Sequence, residues 1–428
     1  MEGLKVCVIG AGSTYTPELI EGFIKRKKEM PIAHISLMDI DEHKLEIVGN
    51  LAIRMAERSS LGAEIELTTD RKKAIEGAAF ILTQIRVGGI PARIKDEHIP
   101  LEFGILGQET TGPGGFAKAL RTIPVMLDIA RDIEKLAPGA WLINFTNPSG
   151  IITEALLKHS KVNVIGLCNV PIGMIKSFAA KFECQPEDLH LTYIGLNHLS
   201  WVTRVTIRGR DVTKEAVEKA AAGRAPEDQE WMRQYCMIPN GYLHYYYARD
   251  KVVEEQRKAG KTRGEIVAEV ESNLLKTYQN PKLSRKPKLL EKRGGAHYST
   301  AAVSLASAIY NNKKELHIVN VRNQGTIQCL PYDCAIEANC VVDGTGAHPL
   351  SIGEVPLEIR GLLQAVKCYE ELTVIAGVEG SYTAALQALV AHPLVPSFAV
   401  ARELLERILE ANKEYLPQFK AMRKRAKP

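Results

Sequence analysis

The chain has 428 residues, of which 45% are apolar and 25% charged, and a formal net charge of +5 from 55 basic and 50 acidic side chains. These values exclude a disordered, collagen-like or disulfide-stapled chain, and the length calls for more than one domain. The basic excess is small and concentrates in a tail (Lys420, Arg423, Lys424, Arg425, Lys427) that reads as a solvated terminal helix, so nucleic acid is not an expected partner.

No apolar run reaches the ~18–20 residues of a membrane span, so no membrane role is expected. The N-terminus enters a strand directly and lacks a cleavable signal pattern. Eight cysteines are scattered along the chain without a CxxC pair, which reads as reduced thiols in a cytoplasmic protein.

In chain order, a strand at 4–9 leads through Gly10-Ala-Gly12-Ser13 into a helix from about Thr16. A second strand, 35–39, ends in Asp39, and residues 41–59 carry apolar positions at helical spacing. Strands recur near Ile65 and at 80–85, 141–145 and 162–165; a long helix over 117–136 stops at Pro138-Gly139. Strands alternating with helices predict a Rossmann-like, doubly wound parallel sheet over residues 1–170, the expected NAD-binding domain. Beyond it, helical stretches (214–223, 251–278, 301–311, 356–391, 397–414) interleave with short strands such as 316–321. Residues 171–428 therefore read as an α+β domain, to which the resemblance stated below assigns substrate, metal and oligomerisation.

Gly10 and Gly12 form half of a dinucleotide fingerprint, in which glycines let backbone amides approach a pyrophosphate. Tyr15 stands where the third glycine belongs. Asp39 can accept both ribose hydroxyls and repel a 2′-phosphate, which favours NAD over NADP. It also reads as a helix N-cap, a role open to Asp41.

Ligands of such sheets bind beyond the carboxyl ends of the strands, and unusual polar residues fall there. Strand 80–85 runs into Arg86, a flexible glycine pair and Arg93. Both arginines read either as ligands of an anionic substrate or as surface charges. Asn147, before Pro148, suits a donor to substrate or nicotinamide, or a plain turn residue. Cys168 at a strand end and His198 in a polar turn form a candidate two-ligand metal site. Their structural reading is a buried small thiol and a satisfied imidazole.

Several segments together resemble glycoside hydrolase family 4, the NAD- and divalent-metal-dependent glycosidases. They are Val8-Ile-Gly-Ala-Gly-Ser13, Gln84-Ile-Arg-Val-Gly-Gly89, Gly107-Gln-Glu-Thr-Thr-Gly-Pro-Gly-Gly115, Asn144-Phe-Thr-Asn-Pro148, Cys168-Asn-Val-Pro171, Gly195-Leu-Asn-His198 and Arg293-Gly-Gly-Ala296. The resemblance implies a lactate dehydrogenase-like superfamily architecture. It also implies NAD held by Gly10, Gly12, Ser13, Asp39 and Asn147. Cys168 and His198 then ligate Mn²⁺ or another divalent metal. Asn169 stands where members acting on α-linked phosphoglucosides carry Asp, so the resemblance is to members acting on 6-phospho-β-glucosides.

The family's chemistry has no need of two catalytic carboxylates. NAD⁺ takes a hydride from sugar C3, a base removes the acidified C2 proton, and the glycosidic oxygen leaves C1. Water then adds and the hydride returns. The resemblance selects Tyr242, from Pro239-Asn-Gly-Tyr242-Leu, as the base, and Glu109 as the acid that raises its basicity. It makes Arg263 the phosphate ligand and Arg86 a second substrate ligand, joined by Asn147, Asn169 and, from charge alone, Arg93. The implied substrate is a phosphorylated disaccharide or aryl glucoside, and the implied assembly a homodimer or homotetramer. Two other readings stand beside this one, an NAD-dependent 2-hydroxy-acid dehydrogenase and a non-catalytic NAD sensor. Neither accounts for Cys168-Asn-Val-Pro171 together with the tyrosine segment.

Overall fold

The computed structural model describes residues 3–293 and 298–419; Gly294, Gly295 and Ala296 of the Arg293 segment and the basic tail from Lys420 lie outside the described residues. Six short apolar runs form strands β1 (Leu4–Ile9), β2 (Ile32–Met38), β3 (Glu64–Thr68), β4 (Phe80–Thr83), β5 (Trp141–Asn144) and β6 (Asn163–Gly166). They lie side by side in the order β3-β2-β1-β4-β5-β6, all parallel. Parallel neighbours need crossovers, which the intervening helices supply. The order reverses direction between β1 and β4, and a crevice opens at such a switch point.

The second half of the chain does two things. Strands β7 (Leu189–Leu196), β8 (Leu199–Ile207), β9 (Arg210–Asp211) and β10 (Ile238–Pro239) make a small antiparallel sheet with its own apolar cluster around Tyr193, Val202 and Met232. Strands β11 (Glu315–Arg322), β12 (Ala335–Asp343) and β13 (Gly346–Pro349) instead extend the first sheet to nine strands. β11 joins β6 antiparallel, with Asn320 opposite Gly166. The boundary expected at residue 170 therefore does not divide the main sheet. Without β11, β6 would be an open edge with unpaired backbone groups.

Two helices expected to be continuous are broken. The stretch 251–278 divides into Arg249–Lys258 and Arg263–Tyr278. Gly260 takes φ +68° between them, and Thr262 with Glu265 builds a capping box that restarts the helix. The stretch 356–391 divides at Gly380 (φ +69°), after which Ser381 caps Tyr382–Ala391.

The long helix begins earlier than expected, at Gly112, with Pro113 in its first turn. Its next two glycines are steric requirements. A Cβ on Gly114 would lie 2.2 Å from the Gln108 carbonyl oxygen, and one on Gly115 would lie 2.6 Å from the Thr110 backbone. The helix start is thereby pressed against segment 108–110, which carries Glu109.

Candidate active site

At the carboxyl ends of β1 and β4 the switch point opens a cavity of about 620 Å³, a volume typical of cofactor clefts. Gly10 and Gly12 line it. Gly10 has φ +90°, and a Cβ there would sit 2.9 Å from the Gln84 carbonyl. A Cβ on Gly12 would meet Asp39 Oδ2 at 2.9 Å. Asp39 accepts the Gly12 amide on Oδ2 at 2.8 Å and the Asp41 amide on Oδ1 at 3.0 Å. Asp41, not Asp39, caps the next helix by accepting from the Lys44 amide at 3.1 Å. Asp39 is thus free of the capping role and lines the cavity, as do Ser13 and Asn147. Tyr15, in place of a third glycine, lies against the Arg293 guanidinium at 4.2 Å. Glycines that only tolerate hydrogen, with a carboxylate fixed beside them, fit a dinucleotide with a free ribose.

Beside this cavity a single carboxylate gathers three cations. Glu109 pairs with Arg86 on Oε2, with Arg93 Nη1 on Oε1 at 2.8 Å and with Lys118 Nζ on Oε2 at 2.8 Å. Burial alone would raise the Glu109 carboxyl, but the three cations hold it well below the usual range. Burial pushes the Lys118 ammonium down to about 7, with Arg86 adding to the effect and Glu109 opposing it. Arg93 also pairs with Glu97 at 2.8 Å, and Glu97 accepts the Gly264 amide at 2.6 Å. With Lys118 protonated, Arg86, Arg93 and Lys118 against Glu109 and Glu97 leave one positive charge in excess, which suits an anionic ligand.

Arg263, next to Gly264, is exposed and donates to the Lys292 and Arg293 carbonyls at 3.0 and 3.3 Å. It does not line the cavity, although its charge reaches Tyr15 and Tyr245. Glu109 sits among the cations rather than in contact with Tyr242, so its negative charge acts on Tyr242 only at a distance.

The metal candidates and the base candidate come from three separate elements. β7 and β8 are joined by a tight turn at Asn197-His198, where His198 takes φ 65°, the left-handed geometry of short hairpins. Its Nδ1 meets Thr110 Oγ1 at 3.0 Å, which orients the ring and leaves Nε2 for a ligand. Its ring stacks on Tyr242 with centroids 3.7 Å apart and planes 6° from parallel. Burial pushes the imidazole down to about 3, so it is neutral, the form that binds metals. Cys168 follows β6 by two residues and is buried, which pushes its thiol up; its Sγ accepts the Val170 amide at 3.4 Å. Asn169 stands at the start of the helix Val170–Lys181.

Tyr242 follows β10, its amide held by Asn240 Oδ1 at 2.8 Å. Burial raises its phenol, and charge at Cys168, Tyr245 and Glu109 would raise it further. Tyr245 meets Tyr242 edge-on at 5.7 Å. Tyr246 and Tyr247 serve packing, through His392 at 3.5 Å and Trp201 at 3.1 Å. Among the described residues, no three His, Cys, Asp or Glu side chains are grouped to hold a metal alone. Cys168 and His198 fit a metal that completes its shell with substrate or water oxygens, which suits a Lewis acid with open positions.

Two participants escape sequence reasoning. Lys118 is one. The other is Glu337 on β12, buried and pushed up to about 7 by that burial. Its Oε1 accepts from the Asn197 and Asn320 amides at 3.0 and 3.2 Å, and its Oε2 from the Tyr193 hydroxyl at 2.8 Å. Ser200 donates to the Tyr193 hydroxyl at 2.5 Å, and the Asn240 amide donates to Ser200 Oγ at 2.6 Å. One carboxylate thereby anchors both the turn that carries His198 and the segment that carries Tyr242. The signal in the sequence was a single acid inside the apolar run Ala335-Ile-Glu-Ala-Asn-Cys-Val-Val342.

The description "Family 4 glycosyl hydrolase" matches residues 5–183, and "Family 4 glycosyl hydrolase C-terminal domain" matches residues 193–395. The chain is 46% identical to a Bacillus subtilis (strain 168) protein named "Probable 6-phospho-beta-glucosidase", over 98% of both chains. It is 40% identical to the 6-phospho-beta-glucosidase of Escherichia coli (strain K12), over 97% of both. The structure of the Thermotoga maritima 6-phospho-beta glucosidase with manganese, NAD⁺ and glucose-6-phosphate superposes with a TM-score of 0.89. That pair shares 36% identity, over 96% of this chain and 99% of the other. A lactate dehydrogenase from Cryptosporidium parvum, at 18% identity and a TM-score of 0.53, shares the fold alone. With both halves matched in order and relatives aligned end to end, the chain belongs to glycosyl hydrolase family 4.

Proposed function

We infer that the protein hydrolyses 6-phospho-β-glucosides, phosphorylated disaccharides or aryl glucosides, to glucose 6-phosphate and a free aglycone. The observation that carries this reading is one constellation: Arg86 and Lys118 line the dinucleotide-sized cavity and pair with Glu109, and the next residue, Thr110, orients His198 in its stack on Tyr242. Full-length relatives named for this activity support it, as does Asn169, where an α-acting member would carry Asp. The dehydrogenase reading gives way to family membership, since lactate dehydrogenase shares only the fold.

In this reading Gly10, Gly12, Ser13, Asp39 and Asn147 hold NAD, and Cys168 and His198 hold Mn²⁺ or a similar divalent cation. The nicotinamide, when bound, exchanges a hydride with sugar C3, and the cation supplies Lewis acidity at the C2 and C3 oxygens. Arg86, Arg93 and Lys118 bind the phosphate and orient the sugar, and Arg263 joins them by turning from the Lys292 and Arg293 carbonyls, to which it donates outside the cavity. Tyr242 removes the C2 proton. Its burial opposes the phenolate, so it becomes a base only when positive charge is brought against it. Asn169 has no acidic proton for the leaving oxygen. Residues 1–170 carry the NAD site together with Cys168, Arg86, Arg93 and Lys118, and 171–428 supply His198, Tyr242 and Arg263 and the contacts of a homodimer or homotetramer. The chain works in the cytoplasm; no described helix is long and apolar enough to cross a membrane.

Release of p-nitrophenol from p-nitrophenyl β-glucoside 6-phosphate tests the reading. Turnover should require NAD⁺, Mn²⁺ and reductant together, and the unphosphorylated glucoside should react at least 10- to 100-fold more slowly, the usual loss of a charge-assisted contact. Equal rates on the two glucosides would defeat it.

A further inference from the structure

Arg293 is a cation set into the wall of the dinucleotide cavity without a complete set of partners. Its side chain is 8% exposed, its guanidinium lies 4.2 Å over the Tyr15 ring, and its Nε has no hydrogen-bond partner. Nη2 reaches Glu271 Oε2 only at 3.4 Å, while the other oxygen of that carboxylate holds Lys44 Nζ at 3.0 Å. The remaining described cations of the wall are better matched: Arg71 pairs with Asp132, and Arg86 and Lys118 pair with Glu109. A buried guanidinium nitrogen without an acceptor is costly, so the position calls for an anion.

We propose that Arg293 binds the pyrophosphate of the dinucleotide, with the Tyr15 ring as the platform that holds its guanidinium in place. The inference rests on the NAD site described above and adds a phosphate ligand to it. Tyr15 directly precedes the helix Thr16–Lys25, so Arg293 stands at that helix's N-terminus, where backbone amides and dipole favour phosphate. Glu18, the acid of the first turn, is taken up by Lys286. Lys44, which shares Glu271 with Arg293, lies along the glycine loop beside Asp39: a Cβ on Gly12 would meet Asp39 Oδ2 at 2.9 Å and Lys44 Cβ at 3.2 Å. The anion at Arg293 is thereby on the side of the loop and the ribose carboxylate. The missing third glycine of the fingerprint then has a reason, since an aromatic ring at that spacing carries a cation that glycine could not. A guanidinium fork matches two phosphate oxygens and would satisfy Nε together with an Nη.

Calorimetric titration of wild type, Arg293→Gln, Arg293→Lys and Tyr15→Ala with NAD⁺, ADP-ribose, adenosine and glucose 6-phosphate tests this. Affinity for NAD⁺ and ADP-ribose should fall about 10- to 100-fold in Arg293→Gln and less in Arg293→Lys, which keeps the charge but not the fork. Adenosine, which lacks the pyrophosphate, should bind unchanged. Tyr15→Ala should show the same selective loss, and its absence would overturn the role of the ring. An equal loss for adenosine, an unchanged ADP-ribose affinity, or a loss confined to glucose 6-phosphate would each overturn the inference. If Arg293→Gln does not fold, the ratio of ADP-ribose to adenosine affinity in Arg293→Lys decides alone. A wild type that binds no NAD⁺ overturns the cofactor site on which the inference rests.

Discussion

The His198 imidazole and the Tyr242 phenol lie ring on ring, 3.7 Å apart and 6° from parallel, although 44 residues of chain separate them. The stack places a neutral imidazole and an ionisable oxygen against each other in a site that disfavours charge on either. Tyr242→Phe keeps the ring and removes the oxygen. Folding, NAD⁺ affinity and the stack should survive, while kcat falls by ~10²–10⁴, the usual cost of a lost general base. Tyr247→Phe, which removes only an acceptor from Trp201, should cost far less. Comparable losses in the two variants would show that Tyr242 is merely part of the aromatic packing.

Asp39 holds two backbone amides and faces the cavity. Asp39→Ala should weaken NAD⁺ and narrow its advantage over NADP⁺, because the carboxylate that repels a 2′-phosphate is gone. Titration of each nucleotide by fluorescence checks this. A wild type that prefers NADP⁺ would remove Asp39 from the ribose.

Lys118 carries its proton in the unfolded chain up to an ordinary value near 10.5, but in the fold only up to about 7. Between those values the unfolded state binds more protons, so this group's contribution to stability rises with pH. Below pH 7 both states are protonated and the slope vanishes. Urea unfolding should therefore show wild type gaining on Lys118→Met from pH 7 to pH 9.5. Parallel pH profiles would mean that Lys118 stays charged beside Glu109.

Glu337 reaches the site only through other residues. Glu337→Gln replaces one acceptor oxygen by an amide facing the donors of Asn197, Asn320 and Tyr193. Mn²⁺ affinity, read by electron paramagnetic resonance, should fall roughly 10- to 100-fold, as for other residues that orient a metal ligand. NAD⁺ affinity should hold, since Asp39 and the glycine loop lie on other elements. A variant that loses both affinities equally would make Glu337 a general stabiliser of the fold.

The sequence made the dinucleotide half of the site legible because its signals are local. Gly10, Gly12 and Asp39 stand at the ends of two apolar runs, and the chemistry follows from strand order. Cys168 at a strand end and His198 in a polar turn are legible as a candidate pair from residue type alone, and the family pattern adds the weight that spacing lacks. Lys118 and Glu337 stayed hidden for a physical reason. A buried charge is tolerated only by partners that the fold delivers, and Glu337 meets Asn197 across 140 residues. The helix start at Gly112 was missed in the same way. Gly112-Pro-Gly-Gly115 reads locally as a loop, and only the close approach of segment 108–110 turns those glycines into helix. The broken helices were local misreadings, since Gly260 and Gly380 already marked the stops.

Turnover in D₂O tests the central claim most directly. If Tyr242 removes the C2 proton after oxidation at C3, the released glucose 6-phosphate should carry deuterium at C2, and only when NAD⁺ and Mn²⁺ are both present. Tyr242→Phe should lose deuterium incorporation and turnover together. Glucose 6-phosphate released without deuterium at C2 would mean direct displacement at C1, and would contradict the oxidation–elimination account of this protein.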